Sequence, residues 1–225
     1  MNGILVVDKP SGPTSHDICQ YFKRNYPVKK VGHAGTLDPL ASGVLIILLD
    51  QATKMQSIFL KKDKEYQFTM KLGEATDTYD SEGVVTHAIP DGAVIPAMPA
   101  GRQAKAGIQQ IEAILPQFRG PILQKPPIYS ALKKAGTPLY KLARRGETVE
   151  TVEIPERAVT IYSLEIVETN FPFVTLKARC SSGTYVRSLA HDIGQVLGVG
   201  AHVTALRRLR SEPFGIEEAM QLPNF

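Results

Sequence analysis

Cysteine is scarce in this chain: Cys19 and Cys180 are the only two in 225 residues. Neither forms a CxxC pair or a His/Cys set at metal-binding spacing, which argues against a structural zinc site and more strongly against a secreted disulfide scaffold. Long apolar runs are also missing. The longest uncharged one, Val44 to Leu49, is far below the roughly 20 residues a membrane helix needs. The opening residues MNGILVVDKPSG carry no basic segment leading into an apolar stretch, so no signal peptide is expected and the cytoplasm is the expected compartment.

What is present is an ordinary globular balance, 43% hydrophobic and 21% charged. That is enough for one large domain or two small ones without staples. The net charge of +4 is unevenly spread. Arg119–Glu150 holds seven Lys/Arg and two Glu, and Lys177–Arg210 holds six Lys/Arg and one Asp, leaving the rest of the chain acidic. Two cationic segments fit a protein that grips a polyanion on one side, although a single charge run is more often a solvated face.

The apolar pattern predicts a strand over Ile4–Val7, a turn at Lys9–Pro13, and a helix capped by Thr14 or Ser15 and running to about Tyr26. A glycine-rich turn over 32–43 leads into a strand over 44–49. Tyr66, Phe68 and Met70 alternate with polar residues, which predicts a half-exposed strand over Lys64–Leu72. A turn (DTYDSEG) and a return strand over Val84–Ala88 follow. The Pro/Gly-rich Ile89–Ala104 reads as a connection and Ala106–Gln117 as a helix. Arg119–Glu150, with four prolines, reads as a long loop with a short helix near Leu139–Arg145, and loops of that length are usually functional or disordered. Strands over Val159–Val167 and Phe173–Cys180, a helix from Thr184 to about Leu197 and a strand over His202–Leu209 complete the chain. Mostly hairpin-like links predict an α+β fold with a mixed, mainly antiparallel sheet flanked by helices.

Asp38 stands out chemically. It lies in Gly32-His33-Ala34-Gly35-Thr36-Leu37-Asp38-Pro39-Leu40-Ala41-Ser42-Gly43, an acidic side chain on a tight loop just before a buried strand, where catalytic groups are often found. The Asp-Pro dipeptide alone would mean only a turn. The whole run, however, resembles the signature of the TruB family of tRNA pseudouridine synthases. So do four further blocks in the same order: LVVDKPSGPTSH, KEYQFTMKLGEATDTYDSEG, QKPPIYSALKKAGTPLYKLARRGE and CSSGTYVRSLAHDIGQVLGVGAHVTALRRLR.

The resemblance implies a pseudouridine synthase fold with a central RNA-binding cleft, one essential aspartate and no cofactor or metal. The reaction it implies is isomerisation of a tRNA T-loop uridine, conventionally numbered 55, after the base is flipped out. Asp38 would be the catalytic carboxylate, Arg187 its counter-charge and Tyr66 the ring against the target base. Tyr185 and Leu206 would line the uracil pocket, and His33 would help open the T-loop. Lys9 and Pro10 would support the site from behind, and Asp80 would hold the adjoining loop. Lys133, Lys134, Arg144 and Arg145 would belong to an inserted thumb segment, around 119–150, that folds over RNA. Taken alone, Tyr66 would more often be a packing residue, His33 a hydrogen-bonded structural one and Arg187 a contact to solvent or phosphate.

The expected domain organisation is one catalytic domain over 1–225. Relatives in the family often carry an appended PUA domain after the LRRLR strand, and this chain stops at Phe225, so none is expected in it. The expected partner is the T-arm of tRNA, bound by a monomer with no obligate protein partner and no membrane. Two other readings stand beside the enzyme: a tRNA-folding chaperone, whose role could coexist with catalysis, and the catalytic subunit of a guide-RNA particle. Whether Asp38 adds covalently or abstracts a sugar proton is not decided by the residues.

Overall fold

A computed structural model of the chain describes residues 2–89, 103–130, 132–134, 136–148 and 151–222. Most of the connection expected over Ile89–Ala104 lies outside them. In chain order the elements are β1 (Gly3–Lys9), α1 (Ser15–Asn25), β2 (Val31–Ala34), β3 (Ser42–Leu49), α2 (Gln56–Leu60), β4 (Lys64–Leu72), β5 (Glu74–Thr76) and β6 (Val85–Ala88). There follow α3 (Gln103–Ile114), β7 (Gly120–Gln124), β8 (Lys133–Lys134), β9 (Thr137–Pro138), α4 (Leu139–Ala143), β10 (Arg157–Asn170), β11 (Phe173–Cys180), α5 (Val186–Val196), β12 (Ala201–Ser211), β13 (Phe214–Gly215) and β14 (Met220–Gln221). The class is α+β, with mainly antiparallel pairing.

The chain condenses into two compact units. The first comprises Met1–Phe68, Lys177–Gly183 and Ala205–Phe225, and the second Thr69–Leu176 and Thr184–Thr204. Within the first, β3 is the organising strand. It pairs antiparallel with β1 from Gly3↔Leu49 to Lys9↔Gly43, antiparallel with β2 from Val31↔Leu49 to Ala34↔Ile46, and parallel with β12 at Arg207↔Ser42 and Arg208↔Gly43. Its residues Val44 to Leu48 are fully buried, which explains why it reads as an unbroken apolar run instead of an alternation. Thr14 begins α1 with a capping box: its hydroxyl accepts from the Asp17 amide and the Asp17 carboxylate accepts from the Thr14 amide. Ile18, Cys19 and Phe22 form the buried side of that helix.

In the second unit, which holds residues 69–72 of β4 and 173–176 of β11, the strand order runs β4-β11-β10-β7, with β7 antiparallel to β10 from Arg157↔Gln124 to Ile161↔Gly120. Helix α5 buries Leu189, Ala190 and Ile193. The segment expected to be a long loop carries more structure than that. It contains β7, the β8–β9 hairpin and α4, and its Ile128, Leu139 and Ala143 form a small core with Val152 and Ile154 just after it. The expected helix over 139–145 is present over 139–143.

Candidate functional site

In the first unit the loop bearing Asp38 is tied down from below by polar groups along its length. The Lys9 ammonium, on a side chain with no exposed surface, donates to the carbonyls of Ala41 (2.7 Å), Pro10 (2.8 Å) and Pro39 (3.3 Å). Ser15 accepts from the Leu37 amide at 2.8 Å and donates back to the Leu37 carbonyl at 3.0 Å. Ser11 donates to Leu40, the Gly12 amide to Pro39, and the Ala41 amide closes a turn onto the Asp38 carbonyl at 3.0 Å. Buried polar groups satisfied in this way hold a loop in one shape.

Arg208, on β12, secures both ends of that loop. Its Nε donates to the Val44 carbonyl at 2.7 Å and an Nη to the Gly35 carbonyl at 3.0 Å. The positive φ of Gly43 (101°) and the path of Arg208 explain the glycine: a β-carbon there would run into the Arg208 backbone. Tyr66, half-buried on β4, lies within electrostatic reach of Arg208 and Asp38. Burial pushes its phenol up; Arg208 opposes this shift, whereas Cys180 and Asp38 add to it. His33 sits on β2 with its pKa lowered by burial and then by Arg208, so its imidazole is neutral near pH 7. Leu206 is buried on β12.

Arg207, next to Arg208, forms a two-point ion pair with Asp8 at 2.6 and 3.0 Å. Burial works to raise the Asp8 carboxyl, but the hydrogen bonds from Arg207 and Gln221 outweigh it and the net shift is downward.

The second unit holds Arg187, Tyr185 and the basic segment. Arg187 is 4% exposed. It pairs with Asp80 at 3.1 Å and donates to the carbonyls of Tyr129 (2.8 Å) and Thr78 (2.9 Å). Asp80 also accepts from the Thr78 hydroxyl at 2.6 Å and the Glu82 amide at 3.0 Å, so it braces the DTYDSEG turn as expected. Gln124, buried at the end of β7, clasps the Tyr185 backbone with its side-chain amide at 2.8 and 3.0 Å. Tyr79 has a left-handed φ of 63°. It stacks on His191 with ring centres 3.9 Å apart.

Arg144 and Arg145 are exposed at the end of α4, with Arg144 over the Tyr140 ring at 5.6 Å. Lys133 and Lys134 are exposed on β8 and line a cavity of about 370 Å³ with Leu132, Leu139, Ile154 and Arg157.

Asp38, Tyr66, His33, Leu206 and Lys9 therefore belong to the first unit, and Arg187, Tyr185, Arg144 and Arg145 to the second. The second cationic segment of the sequence is not a free positive face. Lys177 pairs with Glu65, Arg179 with Glu212, Arg207 with Asp8 and Arg210 with Glu217, while Arg187 and Arg208 are buried. Sequence reading missed Arg208 and Gln124, because a lone Arg or Gln on a strand looks like surface. Among the described residues no group of three or more His, Cys, Asp or Glu is placed to hold a metal ion, and no helix is long and apolar enough to cross a membrane.

The model of the TruB family pseudouridylate synthase N-terminal domain matches residues 23–186, and that of the tRNA pseudouridylate synthase B C-terminal domain matches 187–225. The chain belongs to the TruB family of pseudouridylate synthases. Within the TruB family it is 48% identical over 222 residues to tRNA pseudouridine synthase B of Syntrophotalea carbinolica, and 46% identical to that of Haemophilus influenzae. Each match covers 99% of this chain and 68% or 66% of the relative. A solved chain in a Cbf5-Nop10-Gar1 complex has a similar fold, with a TM-score of 0.70 and 32% identity over 98% of this chain and 52% of that one. The chain thus spans about two thirds of these curated relatives and about half of the solved chain. The Asp38 loop and Tyr66 fall in the first TruB segment, and Arg187 and Leu206 in the second.

Proposed function

We propose that the protein isomerises the T-loop uridine of tRNA, position 55, to pseudouridine, with Asp38 as the catalytic carboxylate. The observation that carries this reading is the Asp38 loop itself, fixed from below by Lys9, Ser15 and Arg208 and accompanied by the Tyr66 ring. A carboxylate held on a rigid loop is pre-oriented for attack or proton abstraction at a nucleotide delivered to it. The N-glycosidic bond breaks, the uracil turns, and C5 bonds to the sugar carbon as its proton leaves for N1. No atom is gained or lost, so the reaction requires no external co-substrate.

Arg187 supplies the counter-charge that keeps the reacting carboxylate ionised. Tyr66 and Tyr185 flank the flipped base, Leu206 packs against it, and neutral His33 fills space left by the displaced nucleotide. Lys9 supports the loop. Arg144 and Arg145, with Lys133 and Lys134, contact phosphates of the T-arm, in keeping with their exposure on the inserted segment. The catalytic domain covers the whole chain and acts as a cytoplasmic monomer, without an obligate protein partner.

The test is to incubate an unmodified tRNA transcript with the purified protein and map every modified uridine. Pseudouridine confined to the T-loop site, and absent with Asp38→Asn, is the expected result. Modification elsewhere only, or an active Asp38→Asn variant, refutes the reading.

A further inference from the structure

Two non-glycine residues among the described ones have a left-handed backbone: Asp50, with a φ of 51°, and Tyr79, with a φ of 63°. Asp50 has an evident reason. Its carboxylate accepts from the amides of Lys29 and Lys30 at 2.8 and 2.9 Å, and a short polar side chain tolerates this conformation. Tyr79 is different. A bulky ring is rare in this geometry, and glycine would adopt it with less strain.

The backbone of Tyr79 is held from both sides. Its amide donates to the Thr76 carbonyl at 3.3 Å, and its carbonyl accepts from the Val203 amide at 3.0 Å. The residues before and after it close on one nitrogen of Arg187, the Thr78 carbonyl at 2.9 Å and the Asp80 carboxylate at 3.1 Å. Between them the Tyr79 ring lies flat on His191, with ring centres 3.9 Å apart and planes 16° from parallel. His191 follows Arg187 by four residues in α5, so it stands on the same face one turn further along. Its Nδ1 is buried with no hydrogen-bond partner among the described residues, so that edge of the imidazole is held by packing. Three consecutive residues thus grip α5 at two successive turns. That helix carries Arg187 in its first turn and has Tyr185 as its N-cap.

We propose that Tyr79 is a positioning residue for Arg187: its left-handed backbone turns the Thr78 carbonyl and the Asp80 carboxylate onto the guanidinium, and its ring on His191 keeps α5 from sliding or rolling. The inference rests on the reading of Arg187 as counter-charge given above and deepens it. A strained residue kept where a relaxed one would fit is expected where the placement of a functional group depends on it.

The test measures single-turnover pseudouridine formation at saturating protein, tRNA affinity and melting temperature. The variants are Tyr79→Gly, Tyr79→Phe, His191→Ala, Arg187→Lys and the double variant Tyr79→Gly with Arg187→Lys. Glycine accepts the left-handed backbone, so Tyr79→Gly removes the ring and relaxes the turn. Its melting temperature is expected within about 4 °C of wild type, because the lost stack and the relieved backbone offset each other. Its rate constant is expected to fall about 10- to 100-fold, the upper figure being the scale of a 1 Å misplacement, with tRNA affinity changed by less than about twofold. His191→Ala removes the other half of the stack and should reproduce that loss. Tyr79→Phe keeps the stack and should stay within about threefold of wild type. The double variant is expected to be about as slow as Arg187→Lys alone, because the two residues act as one device.

A wild-type rate in Tyr79→Gly, a loss that Tyr79→Phe shares, a loss that tracks a falling melting temperature, or losses that multiply in the double variant each overturn the inference. If Arg187→Lys itself reacts at the wild-type rate, the reading of Arg187 fails and the inference falls with it. If Arg187→Lys is slow and Tyr79→Gly is not, only the inference about Tyr79 falls.

Discussion

The Asp38 loop over 32–43 and the basic segment over 119–148 are both irregular in sequence and both rich in proline or glycine, yet they are built on opposite principles. The first is anchored to strands by buried charges: Lys9 and Arg208 are essentially inaccessible to water and spend their donors on its carbonyls. The second rests on a small apolar core and carries its charges outward, with Arg144 and Arg145 exposed. Chemistry needs a group held to fractions of an ångström, whereas a phosphate backbone tolerates contacts that adjust. The same residue types therefore serve as internal fasteners in one place and as ligand contacts in the other.

That contrast can be broken by substitution. Asp38→Asn should abolish pseudouridine formation, by at least about 10³-fold in a nucleoside-composition assay, while tRNA binding survives. Asp80→Asn, which removes one charge of the buried Asp80–Arg187 pair, should cost about 3 kcal/mol in urea unfolding, the usual penalty for breaking a buried ion pair from one side. Lys9→Met leaves the carbonyls of Pro39 and Ala41 without their cation. It should cost about 2 kcal/mol of stability, and its loss of turnover should exceed any loss of tRNA affinity.

The outward-facing charges predict the reverse. Arg144→Ala with Arg145→Ala should leave stability within about 0.5 kcal/mol. It should weaken tRNA binding about tenfold and make the dependence of log K on log salt shallower by about 1 to 2.

A smaller effect concerns Asp192, whose carboxyl is pushed up to about 6 by burial and then by the Glu156 charge. The folded protein holds that proton more tightly than the unfolded chain, so stability falls as pH rises from about 4 to about 6 and stays at the lower level above. Asp192→Asn should add about 2 kcal/mol at pH 7, and the gain should shrink to about 0.5 kcal/mol near pH 4, where the aspartate of the unfolded chain is about half neutral. Melting curves at the two pH values check the sign.

How much of this could be read beforehand depended on whether a residue's environment leaves a mark on its neighbours. The alternation around Tyr66, Phe68 and Met70 marked β4, and Thr14 with Asp17 marked the start of α1. The apolar run of β3 marked a strand buried on both faces. Strand β2 was read as part of a turn because Val-Gly-His-Ala is four residues long with a glycine inside; its pairing along β3, not its propensity, makes it a strand. Strand β7, with Gly120, Pro121 and an exposed Leu123, looks like loop because it is paired along β10 at only one edge. The cations were hardest to read. Six basic residues over 177–210 suggested a surface for a polyanion, but burial and pairing are properties of the fold that a count of charges cannot contain. Asp38 was legible because the loop around it has an unusual composition. Arg208, which holds that loop, was not, because its partners are carbonyls and carbonyls leave no trace in a sequence.

The buried ammonium of Lys9 has a consequence for how this part of the molecule opens. The loop cannot lift away from it without costing a dry ammonium its carbonyl partners at Pro39 and Ala41, so local fraying around Ala41 is costly unless β1 also parts from β3 and lets water in. Amide hydrogens from Asp38 to Val44 should therefore exchange with solvent only when the surrounding sheet comes apart, at the same slow rate as the centre of β3.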